Sequence, residues 1–171
     1  IGSAYKTGLE SASGKVIALL DADLSHPPEI LPRMYQLACE RKLVFGSRYL
    51  GETTFETDLV HRIGTWLLNS WVCFILKTNM KDHTNGYICL QHDLLKQVLD
   101  FSKSKGIDPF DHILYGITFA GIGKKMNISI QEIKAPYQKR QHGKTKIRWW
   151  WGLRVFLTDL WYTLKLRQYL R

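Results

Sequence analysis

The fold of this chain is decided by the stretch VIALLDADLSHPPE, which runs over Val16–Glu29. Its first five residues are apolar and begin with two β-branched side chains, a pattern typical of a strand buried in a parallel sheet. Asp21 and Asp23 follow at once, and the paired prolines at 27 and 28 prevent the strand from continuing. In open α/β sheets, ligands bind just beyond the carboxyl ends of the strands. We therefore expect Asp21 and Asp23 to stand where a ligand binds.

The two carboxylates indicate a divalent cation that holds a diphosphate, because Mg²⁺ and Mn²⁺ prefer hard oxygen ligands. On this pair alone, an equally good interpretation is that Asp21 and Asp23 end a strand and cap the next helix. A haloacid-dehalogenase-like phosphatase also places two such carboxylates after an apolar strand. That pattern expects a small residue and then Thr or Val after the second Asp, where this chain has Leu24 and Ser25.

The composition favours an anionic partner. The chain has 171 residues, of which 45% are hydrophobic, and its 24 Lys and Arg against 15 Asp and Glu give a net charge of +9. A nucleotide, a lipid phosphate or an anionic membrane surface fits this charge. We expect no nucleic-acid partner, because the cations are scattered and no nucleic-acid module is recognisable. Three widely spaced cysteines predict free thiols in a reducing compartment.

The pattern along the chain predicts an α/β fold with a mostly parallel central sheet flanked by helices. Helices are expected over residues 3–13, 28–40, 59–77, 93–101, 112–120 and 147–166. Strands are expected over 16–20, 43–46 and 128–133, and a turn and strand over 80–90. Polar loops are expected over 50–58 and 136–146.

Five segments, in a fixed order, resemble the family 2 glycosyltransferases, and within that family the dolichyl- and polyprenyl-phosphate mannosyltransferases. They are the helix and turn GSAYKTGLESASGK (2–15), DADLSHPPE (21–29), GSRY (46–49), DHTNGY (82–87) and RQHGKTK (140–146). Asn85 stands where the family usually has Ser. The resemblance implies a GT-A (nucleotide-diphospho-sugar transferase) fold, with residues 1–146 as a partial catalytic domain. The family's strands that grip the base and ribose lie before this point, so we expect that the N-terminal nucleoside-binding part is lacking.

The resemblance also implies a reaction, which is the transfer of a hexose from a nucleotide sugar to a polyprenyl or dolichyl phosphate. Mannose from GDP-mannose is the expected donor, and UDP-glucose or another UDP-hexose is the alternative. The transfer is expected to depend on Mg²⁺ or Mn²⁺ and to invert the anomeric configuration. The non-enzymatic alternative is an inactive, truncated transferase that only binds a membrane surface.

The site residues that the resemblance implies fall into three overlapping groups. The expected metal ligands are Asp21, Asp23 and Ser25, and the expected catalytic set is Asp21, Asp23, Arg48 and Asp82. The expected phosphate-binding residues are Arg48, Arg62, Arg140, Thr145 and Lys146. The guanidinium fork of an arginine suits phosphate oxygens. Asp82 is expected to bind sugar hydroxyls or accept a proton, with a simple Asx-turn as the alternative.

Residues 147–171 form the second predicted unit, an amphipathic helix with a short tail. Leucines and aromatic residues from Trp149 to Leu164 fall on one face, whereas Asp159 and Thr163 fall on the opposite one. Such a helix with tryptophans and cations is typical of attachment to a membrane surface. We expect peripheral association at the cytoplasmic face of a membrane, with a membrane-anchoring partner subunit as a further possibility. The alternative is that this helix and helix 59–77 pack on the sheet.

Overall fold

The helices and strands of the computed structural model follow the predicted order. The structure describes residues 2–50, 59–112, 114–136 and 149–171, without the side chains of residues 2–3, 59–61 and 149–152. The helices are α1 (Gly2–Ser11), α2 (Leu31–Cys39), α3 (Leu59–Leu76), α4 (His92–Ser104), α5 (Tyr115–Lys125) and α6 (Trp149–Tyr169). The strands are β1 (Val16–Leu19), β2 (Leu43–Ser47), β3 (Ile88–Gln91) and β4 (Ile130–Lys134).

The sheet of the described residues is mixed and not purely parallel. Its strand order is β1-β3-β2-β4, and β3 runs antiparallel to both of its neighbours, while β2 and β4 are parallel. Three strands therefore share one direction and a reversed strand lies between two of them. The reason is that residues 80–87 lie along the edge where β1 and β2 end, so the chain enters β3 from that edge. A short apolar run such as ICLQ has no feature that specifies direction.

The sheet separates two apolar cores. Alternate residues of the strands, such as Leu43 and Phe45 of β2, pack with α3, α4, α5 and α6. Val44, between them, faces the other way and packs with Met34 and Leu37 of α2. The alternation of side chains along each strand therefore supplies apolar residues to both cores.

Two element boundaries differ from the predictions for local reasons. The predicted helix 28–40 is a 3₁₀ turn, Pro28–Ile30, followed by α2, whose first turn contains Pro32. The predicted helix 112–120 begins later, at Tyr115, and continues to Lys125. Asp108 accepts the main-chain N–H of Phe110 at 3.0 Å, and this turn occupies the chain just before the helix.

Helix α6 packs on α3 and α5 through a face that carries the polar residues Asp159 and Thr163 together with Leu166 and Leu170. Asp159 and Thr163 are fully buried, and His112 Nε2 lies 2.9 Å from Asp159 Oδ1. The opposite, apolar face is exposed at Leu153, Leu157, Trp161 and Leu164, and α3 exposes Ile63, Trp66, Leu67 and Phe74. We call these eight side chains the apolar surface. Within the described residues, no helix is long and apolar enough to cross a bilayer.

Candidate active site

Three of the sequence motifs, residues 21–29, 46–49 and 82–87, come together at one edge of the sheet. β1 and β2 end there, and the residue pairs Leu19–Ile88 and Phe45–Ile88 show that β3 begins there. β4 ends at the same edge, because it is parallel to β2 and Ser47 pairs with Lys134. The antiparallel direction of β3 thus brings the segment before that strand, not after it, to the ligand-binding edge.

The loop with the two carboxylates leaves β1 at this edge. Asp21 is exposed and Asp23 is half-buried, and Asp23 Oδ1 accepts the main-chain N–H of Ser25 at 3.0 Å. Leu24, between Asp23 and Ser25, has a left-handed backbone conformation with φ of 62°. This conformation is energetically unfavourable for a non-glycine residue and is found at functional loops. Tyr5 of α1 lies 3.4 Å from Asp21 Oδ1.

Arg48 and Asp82 form a tightly bonded ion pair. Arg48 Nε lies 2.8 Å from Asp82 Oδ2 and Nη2 lies 2.8 Å from Oδ1, so the contact is bidentate. The main-chain N–H of Arg48 donates to Asp82 Oδ2 at 3.0 Å, and the Thr84 hydroxyl donates to Oδ1 at 3.0 Å. Burial alone would raise the pKa of Asp82, but the charge and hydrogen bonds of Arg48 outweigh it and hold the pKa below its usual value.

This bonding decides which partner of the pair faces a ligand. The Asp82 side chain is 0% exposed, whereas that of Arg48 is 13% exposed. Each oxygen of the carboxylate accepts two close hydrogen bonds, so Asp82 has little capacity left for a sugar hydroxyl or a proton. The Asx-type contact to the Thr84 N–H is present at 3.3 Å, the longest of the set. The arrangement favours Asp82 as the residue that orients Arg48.

Arg62 lies near the same point, at the start of α3. Burial raises the pKa of the Tyr49 hydroxyl, and the nearby positive charges of Arg48 and Arg62 oppose that rise. Tyr49 also lines a cavity of about 310 Å³ beside α3. The other lining residues are Trp66, Asn69, Ser70, Cys73, Met80 and Lys81. The charges of Arg48 and Arg62 thus both act on the Tyr49 hydroxyl, while Arg140, Thr145 and Lys146 lie outside the described residues.

Three residues that sequence analysis did not place in the site hold these motifs together. Glu132 of β4 accepts the main-chain N–H groups of Lys81 and Asp82, at 2.8 and 3.0 Å. Asn69 of α3 accepts the main-chain N–H of His83 at 2.7 Å. The third residue, His26, accepts the main-chain N–H of Asp21 at Nδ1, at 3.0 Å. A side chain bound to a main-chain group leaves no pattern in the sequence of its partner, so only the folded chain reveals such contacts.

A divalent cation at Asp21 and Asp23 fits the donor groups present. The Ser25 hydroxyl is fully buried and has no hydrogen-bond partner among the residues that the structure describes, which is unusual for a buried polar group. Within the described residues, no three His, Cys, Asp or Glu side chains converge. A cation here would therefore take two carboxylates and the Ser25 hydroxyl, and diphosphate and water oxygens would complete a coordination that suits Mg²⁺ or Mn²⁺.

The sheet, with the Asp21–Asp23 loop and the Arg48–Asp82 ion pair at one edge, is that of a GT-A fold. The model of the family "Glycosyl transferase family 2" matches residues 1–98, more than half of the chain. The chain belongs to this family.

Known relatives of the chain include three mannosyltransferases. It is 31% identical over 159 residues to an undecaprenyl-phosphate mannosyltransferase of Micrococcus luteus, a match covering 86% of this chain and 60% of the relative. It is 39% identical over 105 residues to a dolichol-phosphate mannosyltransferase of Pyrococcus furiosus, covering 57% of this chain and 29% of the relative. It is 35% identical over 58 residues to a dolichol-phosphate mannosyltransferase of Saccharomyces cerevisiae, covering 34% and 22%. The chain thus spans 60% or less of the relatives it matches.

Proposed function

We propose that this chain carries the catalytic part of a hexosyltransferase that moves mannose from GDP-mannose onto a polyprenyl or dolichyl phosphate. One observation carries the proposal: the Asp21–Asp23 loop and the Arg48–Asp82 pair meet at one sheet edge. It is supported by membership of family 2 and by the relatives named above, each named for mannose transfer to a lipid phosphate. The same chemistry serves a UDP-hexose donor, which is the alternative outcome of the test below.

The donor side of the reaction has a leaving-group requirement. When the sugar departs, negative charge grows on the nucleoside diphosphate, and cations must stabilise it. Asp21, Asp23 and Ser25 would hold Mg²⁺ or Mn²⁺, which supplies that positive charge. Asp21 is exposed at the edge, in reach of a ligand that arrives from solvent. Arg140, Thr145 and Lys146 remain proposed contacts to the phosphates.

The acceptor side needs orientation more than a base. A phosphate monoester has a second pKa of about 6, so the attacking oxygen is already ionised at neutral pH. Arg48, held at a fixed angle by Asp82, presents its partly exposed guanidinium to that phosphate, and Arg62 adds a second cation. The cavity beside Tyr49 would receive the first part of the lipid chain, since Trp66 and Met80 line it. Direct displacement by the phosphate inverts the anomeric carbon.

The apolar surface would place this site at a membrane. Phe74 is 75% exposed and Trp161 is 60% exposed, values that are costly in water unless something covers them. Lys165 lies 5.1 Å over the Trp161 ring, so a cation accompanies the apolar groups as an anionic lipid surface requires. We infer peripheral attachment through α3 and α6 on the cytoplasmic face, where nucleotide sugars are made, with a membrane-anchoring partner subunit as an addition.

The reaction is tested by radiolabelled transfer. The full chain is incubated with vesicles that contain undecaprenyl or dolichyl phosphate, with labelled GDP-mannose or UDP-glucose, and with Mn²⁺, Mg²⁺ or EDTA. We expect β-linked mannosyl lipid from GDP-mannose, no product in EDTA, and a loss of about 100-fold or more for Asp23→Asn. Asp100→Asn, the same change on an exposed face of α4, is the matched control. No transfer from either donor, by this chain or by a longer chain that supplies the expected N-terminal nucleoside-binding part, contradicts the proposal, and so does full activity of Asp23→Asn.

Membrane attachment is tested separately by flotation with anionic vesicles. Phe74→Ser and Trp161→Ser each remove a large exposed apolar group, so each should weaken vesicle binding by about tenfold or more. Tyr35→Ser is the control, because Tyr35 is similarly exposed, at 53%, but lies on α2 across the sheet. If all three variants float like the unchanged chain, the apolar surface is not the attachment site.

A further inference from the structure

His26 occupies the centre of the candidate site without being one of its predicted ligands. The residue is 4% exposed, and its ring stacks on Tyr87 with centroids 4.8 Å apart and planes 13° apart. Asp21, Asp23 and Arg48 all lie close enough for their charges to act on the imidazole. A polar ring in this position has to satisfy both of its nitrogen atoms.

The His26 ring is held by a neighbouring motif. The main-chain N–H of Asp21 donates to Nδ1 at 3.0 Å, so Nδ1 is the acceptor and the ring proton lies on Nε2. The side chain of Asn85 also lies near the imidazole and acts on it. Asn85 is itself fixed, because its Nδ2 donates to the carbonyl of Gly46 at 2.8 Å.

The bond to Asp21 fixes the point where the chain leaves the sheet. The β1 ladder ends at Leu19, so the sheet no longer determines the backbone of Asp21. Three residues after Asp21, the chain turns through the left-handed Leu24. The other end of this loop is held by the Tyr87 hydroxyl, which donates to the carbonyl of Pro27 at 3.0 Å. The stacked pair of His26 and Tyr87 thus holds the loop at both ends.

We propose that His26 is a positioning residue for the cation and diphosphate site, which it orders by fixing the main-chain amide of Asp21 and so the direction of the Asp21 and Asp23 carboxylates. This inference rests on the proposed function, because it requires a cation at those carboxylates. It excludes Nδ1 of His26 as a metal ligand or a general base, because that nitrogen already accepts the main-chain N–H of Asp21. Partners that orient metal ligands in this way typically contribute 10–100-fold to metal affinity.

The test compares two amides that each replace one nitrogen of the ring. The Asn oxygen of His26→Asn lies where Nδ1 was and still accepts from the Asp21 N–H. The longer Gln side chain of His26→Gln reaches the Nε2 position and leaves that N–H without its partner. Binding of Mn²⁺ in the presence of GDP is measured by the electron paramagnetic resonance signal of unbound Mn²⁺, so no turnover is needed. Thermal unfolding of each variant confirms that it is folded.

We expect the Kd for Mn²⁺ of His26→Asn to stay within about threefold of the unchanged chain, and that of His26→Gln to rise by about tenfold or more. Equal Kd values for the two variants, whether both unchanged or both weakened, overturn the role of the Nδ1 contact. If the two His26 variants bind Mn²⁺ equally while the unchanged chain binds it and Asp23→Asn does not, the positioning role of His26 is refuted alone and the proposed function stays intact. If the unchanged chain with GDP binds no Mn²⁺, the cation site is wrong and the positioning role falls with it.

Discussion

Gly116 offers the sharpest test of how the site is held, because a single methyl group there should separate α5 from the segment that carries Asp82. A Cβ atom built at Gly116 would lie 2.4 Å from the main-chain oxygen of His83 and 3.0 Å from that of Asn85. A normal carbon–oxygen contact needs roughly 3.3 Å. Gly116→Ala therefore requires α5 and the His83–Asn85 segment to move apart by about 0.9 Å.

The cost of that movement follows from what fixes the segment. The His83 N–H is bound by Asn69, and the Asn85 side chain is bound to Gly46. Overpacking a buried contact costs about 1–3 kcal/mol, and weakening one of these hydrogen bonds adds about 1 kcal/mol. Alanine regains up to about 1 kcal/mol through its better helix propensity. The net loss in the free energy of unfolding is about 1–3 kcal/mol.

Gly8→Ala is the matched control, since a Cβ at Gly8 of α1 would meet nothing within 4 Å. The same chemical change should there raise the free energy of unfolding by about 0.5–1 kcal/mol. In a chain of this size, 1 kcal/mol corresponds to about 2–4 °C in Tm. Calorimetry should thus show Gly116→Ala several degrees below the unchanged chain and Gly8→Ala slightly above it. A Gly116→Ala variant that is as stable as Gly8→Ala refutes the close approach of α5.

Two further predictions concern Glu132 and His83. Glu132→Gln should lower the free energy of unfolding by about 1–2 kcal/mol in urea titration, because Gln offers one acceptor oxygen to two main-chain N–H groups. The control Glu10→Gln, on exposed α1, should leave the free energy of unfolding unchanged. Equal stability of the two variants contradicts the contact of Glu132 with the Lys81 and Asp82 amides. Burial lowers the pKa of His83 to about 4, so the unfolded chain takes up a proton near pH 6.5 before the folded chain does. Stability is then complete above pH 6.5 and falls towards pH 4, by about 2 kcal/mol between pH 6.5 and 5. His83→Gln should reduce that slope; an unchanged slope would mean that His83 titrates normally. Burial also lowers the pKa of His26, so part of the pH dependence of stability should remain in His83→Gln.

The parts of the fold that sequence could predict are those with a periodic or abrupt pattern. The run before Asp21 predicts β1 because five apolar residues end in carboxylates and prolines, and the structure has a strand over Val16–Leu19. Family resemblance adds the GT-A fold, which family membership confirms. The direction of β3 could not be predicted, because a short strand such as Ile88–Gln91 has the same sequence pattern in parallel and antiparallel sheets. Only the path of residues 80–87 determines it.

Helix α6 shows a second limit of pattern reading. Its leucines and tryptophans mark an apolar face, which in a water-soluble bundle would be the buried face. The structure instead buries the face on which Asp159 and Thr163 precede Leu166 and Leu170. There His112 pairs with Asp159, and the Thr163 hydroxyl donates to the Asp159 carbonyl at 2.7 Å. The contact of His112 with Asp159 is tertiary, whereas the contact of Thr163 with Asp159 lies within the helix. Hydrophobic periodicity predicts neither of them.

The contacts that hold the candidate site are mostly of one kind, side chain to main chain. Glu132 binds the amide of Asp82, Asn85 binds the carbonyl of Gly46, and His26 binds the amide of Asp21. A main-chain contact fixes where a residue stands and leaves its own side chain available to a ligand. The residues that would touch substrate are therefore positioned by others that would not. Because the 82–87 segment binds the carboxylate loop through Tyr87 and the end of β2 through Asn85, displacement of this segment should disturb cation binding and phosphate binding together.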